Sequence, residues 1–291
     1  MRIAVTGRHG QVVSALQAVA PHGVSIIPVG RPEADLAAPN TLQDAIEAVM
    51  PDVIISAAAY TAVDKAESEP DLARTINGLA PEALSHVARE LHVPVLHLST
   101  DYVFDGRKAE PYDEGDPTGP VSVYGATKLL GEQGIRHGTA NHVILRTAWV
   151  YSPFGTNFVK TMLRLAETRD ALNVVADQRG CPTSALDIAA ALIEIAKKVK
   201  ADSSPHLRGT FHLTAPDDAT WADFAEAIFV ARVARGGKAM KVNPITTSAY
   251  PTPARRPANS RLNGAKLKAA YGIELPSWRL SLQTVLDRLP A

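Results

Sequence analysis

Ile3-Ala4-Val5-Thr6-Gly7-Arg8-His9-Gly10-Gln11-Val12-Val13-Ser14-Ala15-Leu16, residues 3–16, passes from a short apolar run through two glycines into an amphipathic helical pattern. Such a strand, turn and helix predicts the first βα unit of an open parallel sheet. The glycines allow the tight turn and the close approach of backbone to a ligand, and a pyrophosphate would rest on the helix N-terminus. Working outward, Val24 to Val29, Val53 to Ala58, Val95 to Leu98 and Val143 to Arg146 repeat the theme. Each run is short and unalternated, as strands buried on both faces should be, so with Ile3 to Thr6 they predict five parallel strands.

Helical patterns fill the gaps: Gln11 to Ala20, and Thr41 to Val49 with Asn40 as its expected N-cap and Pro51 as its stop. After Trp149 the pattern loosens into a helix from Asn157 to Thr168, a strand at Leu172 to Val175 and a helix at Ala185 to Lys198. A strand at Phe211 to Leu213 and a helix from Trp221 follow. We therefore expect an α/β chain: a Rossmann-type doubly wound parallel sheet in a dinucleotide-binding domain over residues 1–150, to which the chain returns around 170–205. A smaller α+β substrate-binding region should occupy 151–291. Two Pro/Gly-rich stretches, 105–120 and 244–257, read as long irregular loops.

Hydrophobic residues make up 46% and charged ones 21%, which excludes a disordered, collagen-like or coiled-coil chain. Thirty Lys+Arg balance thirty Asp+Glu, so the electrostatic footprint of a nucleic-acid or anionic-membrane binder is missing. The N-terminal apolar run is too short for a signal peptide, no stretch approaches the ~18 apolar residues of a membrane span, and the single Cys181 excludes an internal disulfide; a cytoplasmic location is expected. Cys181 reads as a structural thiol beside Pro182. Nine scattered histidines form no H-E-x-x-H or Cys/His cluster, so no metal centre is expected, and neither a P-loop nor a G-x-S-x-G motif occurs. Lys197-Lys198-Val199-Lys200 reads as a helix C-terminus facing water.

An acidic residue near the end of the second strand would take an adenosine ribose hydroxyl, but the chain reads Val29-Gly30-Arg31 there. Arg31 suits a 2′-phosphate, which favours NADPH over NADH. Val13 stands where the full fingerprint has its third glycine. At the third strand, Ala57-Ala58-Ala59-Tyr60-Thr61 offers small residues against which a flat ligand can lie.

Tyr124-Gly125-Ala126-Thr127-Lys128 puts a phenol and an ammonium four residues apart on one helical face. A phenol of pKa about 10 is a poor acid or base near neutrality, and a neighbouring positive charge should lower it. The fourth strand ends in Ser99-Thr100-Asp101-Tyr102, bringing hydroxyls to the carboxyl edge of the sheet.

Together these residues resemble the extended short-chain dehydrogenase/reductase superfamily. The longer strings Ala57 to Glu67, Arg146 to Tyr151, Gly155 to Phe158, Asp177 to Thr183 and Arg256 to Ser260 are similar to the dTDP-4-dehydrorhamnose reductase family. The resemblance implies reduction of the C4 ketone of dTDP-4-dehydro-L-rhamnose by NADPH or NADH. Tyr124 would be the proton donor, Lys128 would hold the ribose, and Thr100 would bond the reacting oxygen. It implies a cofactor site of Gly7, His9, Gly10, Gln11, Val12, Arg31, Asp35, Leu36, Ala57, Ala59, Tyr60, Thr61, Leu98, Tyr124 and Lys128. Thr100, Asp101, Trp149 and Asn157 would meet the substrate, with Arg256, Asn259 and Ser260 at its diphosphate. Some family members dimerise through a metal held by glutamates, one of them early in the first helix. Val13-Ser14-Ala15-Leu16-Gln17 carries no carboxylate, so a monomer or weak homodimer without a metal bridge is expected.

Two alternatives share these features. A reductase or epimerase of another nucleotide sugar would use the same Tyr/Lys chemistry, an epimerase keeping its cofactor through the cycle. A non-catalytic NADP-binding regulatory subunit would not need Thr100, Tyr124 and Lys128 together.

Overall fold

Ile3, Ala4 and Val5 are wholly buried because the strand they build, β1 (Arg2–Thr6), is flanked on both sides and covered on both faces. The structure, a computed structural model, describes residues 1–289. After β1 come α1 (Gln11–Val19), β2 (Ser25–Val29), α2 (Leu42–Glu47), β3 (Val53–Ser56), α3 (Val63–Ala66), α4 (Pro70–Arg74), α5 (Ala80–Glu90), β4 (Val95–Thr100), α6 (Val123–Gly138) and β5 (His142–Thr147). The second half contains β6 (Val150–Tyr151), α7 (Phe158–Leu165), β7 (Ala171–Val175), β8 (Arg179–Gly180), β9 (Thr183–Ser184), α8 (Ala185–Ala201) and β10 (Gly209–His212). It closes with β11 (Ala219–Thr220), α9 (Trp221–Ala234), β12 (Lys241–Ile245), α10 (Ala265–Tyr271) and α11 (Trp278–Asp287).

The main sheet runs β10-β5-β4-β3-β1-β2, and every pairing in it is parallel. It has one strand more than the five expected, because β10 adds to the edge of β5. The strand order turns back between β1 and β3, so the carboxyl ends of those two strands diverge into the crevice where open α/β sheets bind ligands. One face is covered by α1 and α8 through Val13, Leu16, Ile188 and Leu192. The other is covered by α2 and α5 together with Ile135 of α6.

Several expected boundaries move. The helix read from Thr41 starts at Leu42: Pro39–Thr41 forms a short 3-10 turn, so Asn40 lies inside that turn and is not the cap. Asn157, read as the first helical residue, is the N-cap of α7, accepting from Lys160 N at 3.2 Å. The strand read at Leu172 to Val175 does not join the main sheet but pairs in parallel with β12. The chain comes back to the main sheet with α8 and β10.

The two long loops pack together. Tyr112 N donates to Arg261 O at 2.8 Å, Asn263 N donates to Tyr112 O at 2.8 Å, and a Cβ on Gly106 would collide with Pro257. Cys181 is buried, which pushes its thiol up to about 11. No helix among the described residues is long and apolar enough to cross a membrane.

Candidate active site

Gly7 has φ +95°, a left-handed conformation that costs glycine nothing, and an added Cβ there would come within 3.2 Å of Ala58 Cβ. Gly10 then N-caps α1 in extended conformation with no side chain over the helix end, leaving first-turn N–H groups open. Thr6 Oγ1 accepts from Ala57 N and Ala58 N at 3.0 Å each, tying the end of β1 to the end of β3. Between them opens a cavity of about 400 Å³, lined by Thr6, Gly7, His9 to Val13, Ala57 to Ala59, Thr61, Leu98, Ser99, Tyr124, Lys128, Thr147, Val150, Gly155 and Thr156. A bare helix N-terminus, a glycine whose Cβ would intrude and a wall of three alanines fit a dinucleotide.

Of the residues expected at the cofactor, Gly7, His9, Gly10, Gln11, Val12, Ala57, Ala59, Thr61, Leu98, Tyr124 and Lys128 line this cavity. Tyr60 does not; its hydroxyl donates to Glu69 Oε2 at 2.6 Å, and its N–H to Asn77. Arg31, Asp35 and Leu36 lie beyond it, past the end of β2. There Asp35 holds its own turn by accepting from Ala37 N at 2.9 Å, and Leu36 packs against the core beside α2. Arg8, part of the glycine turn but not among the residues expected at the cofactor, folds over the same corner, donating to Arg31 O at 2.9 Å and pairing with Glu33. Thr6, Val13, Thr147, Val150, Gly155 and Thr156 line the cavity without having been expected at the cofactor, while Ala58 and Ser99 belong to the alanine wall and the hydroxyl-bearing strand end read from the sequence. Thr6 and Thr147 could have been expected there, because each is the last residue of a strand at the sheet's carboxyl edge.

Ser122 caps α6, accepting from Gly125 N at 3.2 Å, and so starts the helix that carries Tyr124 and Lys128 on one face. Gly125 is where α6 passes so close to Tyr102 that a Cβ would collide with its carbonyl oxygen. Thr100 ends β4, its hydroxyl donating to Asp101 Oδ1 at 2.9 Å and accepting from Tyr102 N at 3.2 Å. Burial pushes the Tyr124 phenol up to about 12 against a downward pull from the neighbouring Thr100 hydroxyl. Lys128, expected from the sequence pattern to lower that phenol, makes its own hydrogen bonds elsewhere. Its ammonium turns back to the Leu98 carbonyl at 2.6 Å and to His97 Nε2 at 3.4 Å, and burial brings it down to about 8. Asp101 is raised to about 6 by burial, with the Ser260 and Thr100 hydroxyls opposing, and its Oδ2 has no partner. At neutral pH the arrangement holds a protonated phenol beside a hydroxyl and a carboxylate.

Behind this edge, Glu132 is fully buried and accepts from Ser99 Oγ at 2.6 Å, and from Arg146 Nε and Nη2 and Arg136 Nη2 at 2.8 Å each. The network anchors α6 to β4 and β5 directly beneath Thr100.

A second cavity of about 650 Å³ lies in the C-terminal region, walled by Phe158, Met162, Leu172, Val174, Trp221, Ile245 and Tyr250, with Arg256 and Gln178 among its polar residues. Arg256 grips Asp64 at 2.8 Å and 3.1 Å through two nitrogens, joining the C-terminal loop to α3. Trp149 connects the two cavities. Its neighbours Thr147 and Val150 line the first, and its indole stacks at 3.5 Å on Trp221 of the second. Its φ of 47° is uncommon for a bulky residue, and a Cβ at Gly180 would overlap its ring. Asn157 Nδ2 reaches Gln11 Oε1 at 3.1 Å, bringing α7 to the glycine turn. Asn259 is directed elsewhere: its amide donates to the carbonyls of Lys108 and Glu110 at 2.7 and 2.8 Å and so fixes the loop. Ser260, buried, sits beside Asp101.

The family model described as RmlD substrate binding domain matches residues 1–290. A dTDP-4-dehydrorhamnose reductase of Sinorhizobium fredii is 54% identical over 286 residues, covering 98% of this chain and 97% of that protein. Among solved structures, a dTDP-4-dehydrorhamnose reductase of Clostridium acetobutylicum superposes with a TM-score of 0.91 at 38% identity, covering 99% of both chains. That of Bacillus anthracis, in complex with NADP, has a TM-score of 0.91 at 32% identity and 98% coverage of both.

Proposed function

Because the chain belongs to the dTDP-4-dehydrorhamnose reductase family, of the extended short-chain dehydrogenase/reductases, we propose that it reduces the C4 ketone of dTDP-4-dehydro-L-rhamnose to dTDP-L-rhamnose, the last step in making that sugar donor. The observation that carries this reading is the convergence, at one crevice, of the glycine turn with Thr100, Tyr124 and Lys128.

Gly7, Gly10, the first turn of α1 and the alanines after β3 would hold NADPH, which when bound supplies the hydride. Tyr124 gives its proton to the carbonyl oxygen as charge develops there. Its raised pKa keeps that proton in place at neutral pH and makes it available to an alkoxide, which is a stronger base than a phenolate. Thr100, whose one hydroxyl proton goes to Asp101 Oδ1 in the free site, turns it to the same oxygen and orients the ketone. Lys128 holds the ribose, Asp101 takes a sugar hydroxyl, and Trp149 covers the ring. The nucleotide half lies toward the second cavity, with Arg256 facing the diphosphate. Arg31, with Arg8 at the same corner, supports NADPH over NADH. We further read residues 1–150 with α8 and β10 as the dinucleotide-binding body and the rest as substrate-binding, the chain acting in the cytoplasm as a monomer or weak homodimer.

The test follows loss of reduced-nicotinamide absorbance with dTDP-4-dehydro-L-rhamnose, for NADPH and then NADH. Stoichiometric oxidation by the wild type, falling at least ~10²-fold in Tyr124→Phe, is expected. No oxidation despite cofactor binding would overturn the assignment, and catalytic turnover of the sugar without net oxidation would point to an epimerase.

A further inference from the structure

The mechanism uses Lys128 but leaves unexplained how a buried ammonium is held. Lys128 is 3% exposed, and Glu132, one turn further along α6, is already engaged by Arg146, Arg136 and Ser99. A lysine has three N–H donors and no acceptor. One goes to the Leu98 carbonyl at 2.6 Å; a second meets His97 Nε2 at 3.4 Å; the third is left for the cavity that Lys128 lines. His97 is itself buried in β4, with Nδ1 at 3.0 Å from Ser56 Oγ at the end of β3. A ring nitrogen facing an ammonium can only accept, so Nδ1 carries the ring's proton and Ser56 Oγ receives it.

We propose that His97 is a positioning residue for the reaction: neutral and clamped by Ser56, it accepts a hydrogen bond from Lys128, aims that side chain at the cofactor ribose and keeps it protonated. This rests on the reductase reading above. The groups around the pair support it. On α6, Tyr124 and Glu132 stand on either side of Lys128, and Glu132 favours its charged form. On β3 the facing group is Ser56, and on β5 Arg146 lies against Glu132. Burial and the Lys128 charge hold His97 well below its ordinary pKa, so the ring stays neutral and able to accept. Loss of this acceptor destabilises the ammonium, whereas a side chain that merely fills the space leaves its protonation alone.

The experiment compares wild type, His97→Leu, His97→Gln and Ser56→Ala. A glutamine carries an amide oxygen to about the place of Nε2; a leucine carries none. The pH profile of kcat/KM in His97→Leu should have its alkaline limb moved about one unit lower, with about twofold less activity at pH 7, where about half of Lys128 is then protonated. His97→Gln should bring both most of the way back, and Ser56→Ala should move the limb in the same direction by less. Independently of turnover, nitrogen NMR of cofactor-free, ¹⁵N-histidine-labelled protein, assigned by difference with His97→Gln, should show His97 neutral and protonated at Nδ1. An unmoved limb in His97→Leu, or in Ser56→Ala should the leucine variant not fold, overturns the proposal, as does a His97 protonated at Nε2. A wild type that oxidises no NADPH would instead sink the reductase reading and leave the NMR result to decide the clamp.

Discussion

Glu132→Gln removes one charge from the interior with almost no change of shape, so its effect isolates the ion pair beneath the candidate active site. In the folded chain Glu132 is fully buried and its Arg146 partner is 3% exposed, joined by two bonds of 2.8 Å. The amide introduced by Glu132→Gln would offer one acceptor oxygen and two unwanted donors to a guanidinium that has no access to water, and Arg146 Nη1 is already without a partner. Breaking a buried pair from one side costs about 3–5 kcal/mol, a third or more of a typical domain's stability. Arg136, 38% exposed, can turn to solvent and adds little. At about 2 °C per kcal/mol for a chain of this size, Tm should fall by roughly 6–10 °C. Urea unfolding followed by circular dichroism, combined with Arg146→Met in a double-mutant cycle, measures the term. The double variant should recover much of the loss, because no lone charge is then buried. The pH dependence has a fixed sign. Ion pairing with Arg146 and its hydrogen bonds hold the Glu132 pKa below its ordinary value despite burial. The wild-type advantage is therefore present above the unfolded carboxyl pKa and fades as pH falls through the folded one. A loss under about 1 kcal/mol in Glu132→Gln, or a double variant that loses the sum of the singles, would refute the reasoning.

Gly125→Ala places a methyl against the Tyr102 carbonyl and shifts the start of α6; we expect kcat/KM to fall about 10²-fold while urea unfolding still shows a folded protein. Thr6→Val keeps the shape but leaves Ala57 N and Ala58 N without an acceptor, lowering stability by about 1–3 kcal/mol in urea titrations and raising the KM for cofactor. Asp101 is raised to about 6, above its unfolded value, so its ionisation opposes folding and the penalty grows as pH rises from about 4 toward 7. Asp101→Asn should thus gain about 2–3 kcal/mol at pH 7, little at pH 4, and lose activity; a stability difference independent of pH would count against this reading.

The sheet was legible because strands buried on both faces are short and mostly apolar without alternation, as β1, β3 and the first parts of β4 and β5 are. β7 shows the converse. Ala171-Leu172-Asn173-Val174 alternates, its burial alternates too, and a strand with one wet face belongs outside a doubly covered sheet; that signal was present and separates it from the return to the main sheet. The glycine turn, Thr100 and the Tyr124/Lys128 face were legible for a different reason, since local backbone geometry alone brings them to the carboxyl edge. Partners that meet only after folding were hidden. Asp64 and Arg256 meet across 192 positions, and Lys128 finds Leu98 and His97 some thirty residues back.

The hidden contacts share a property with chemical consequence. His97 and Ser99 of β4, Thr100 at its end and Asp101 in the turn that follows are all buried and polar. His97, Ser99 and Thr100 meet Lys128, Glu132 and Tyr124 of α6, and Asp101 meets Ser260 of the C-terminal loop. A strand built for stability alone would carry apolar residues at these places, since each buried polar group costs free energy unless its bonds are made. Here all the bonds but that of Asp101 Oδ2 are made among the groups that the reaction uses, so the cost of burying them is offset only when α6, β3 and the C-terminal loop are all docked. Side-chain placement at the site is thereby tied to completion of the fold, which is why changes at Gly125 or Thr6, neither of which reacts, should register first in kcat/KM and cofactor KM.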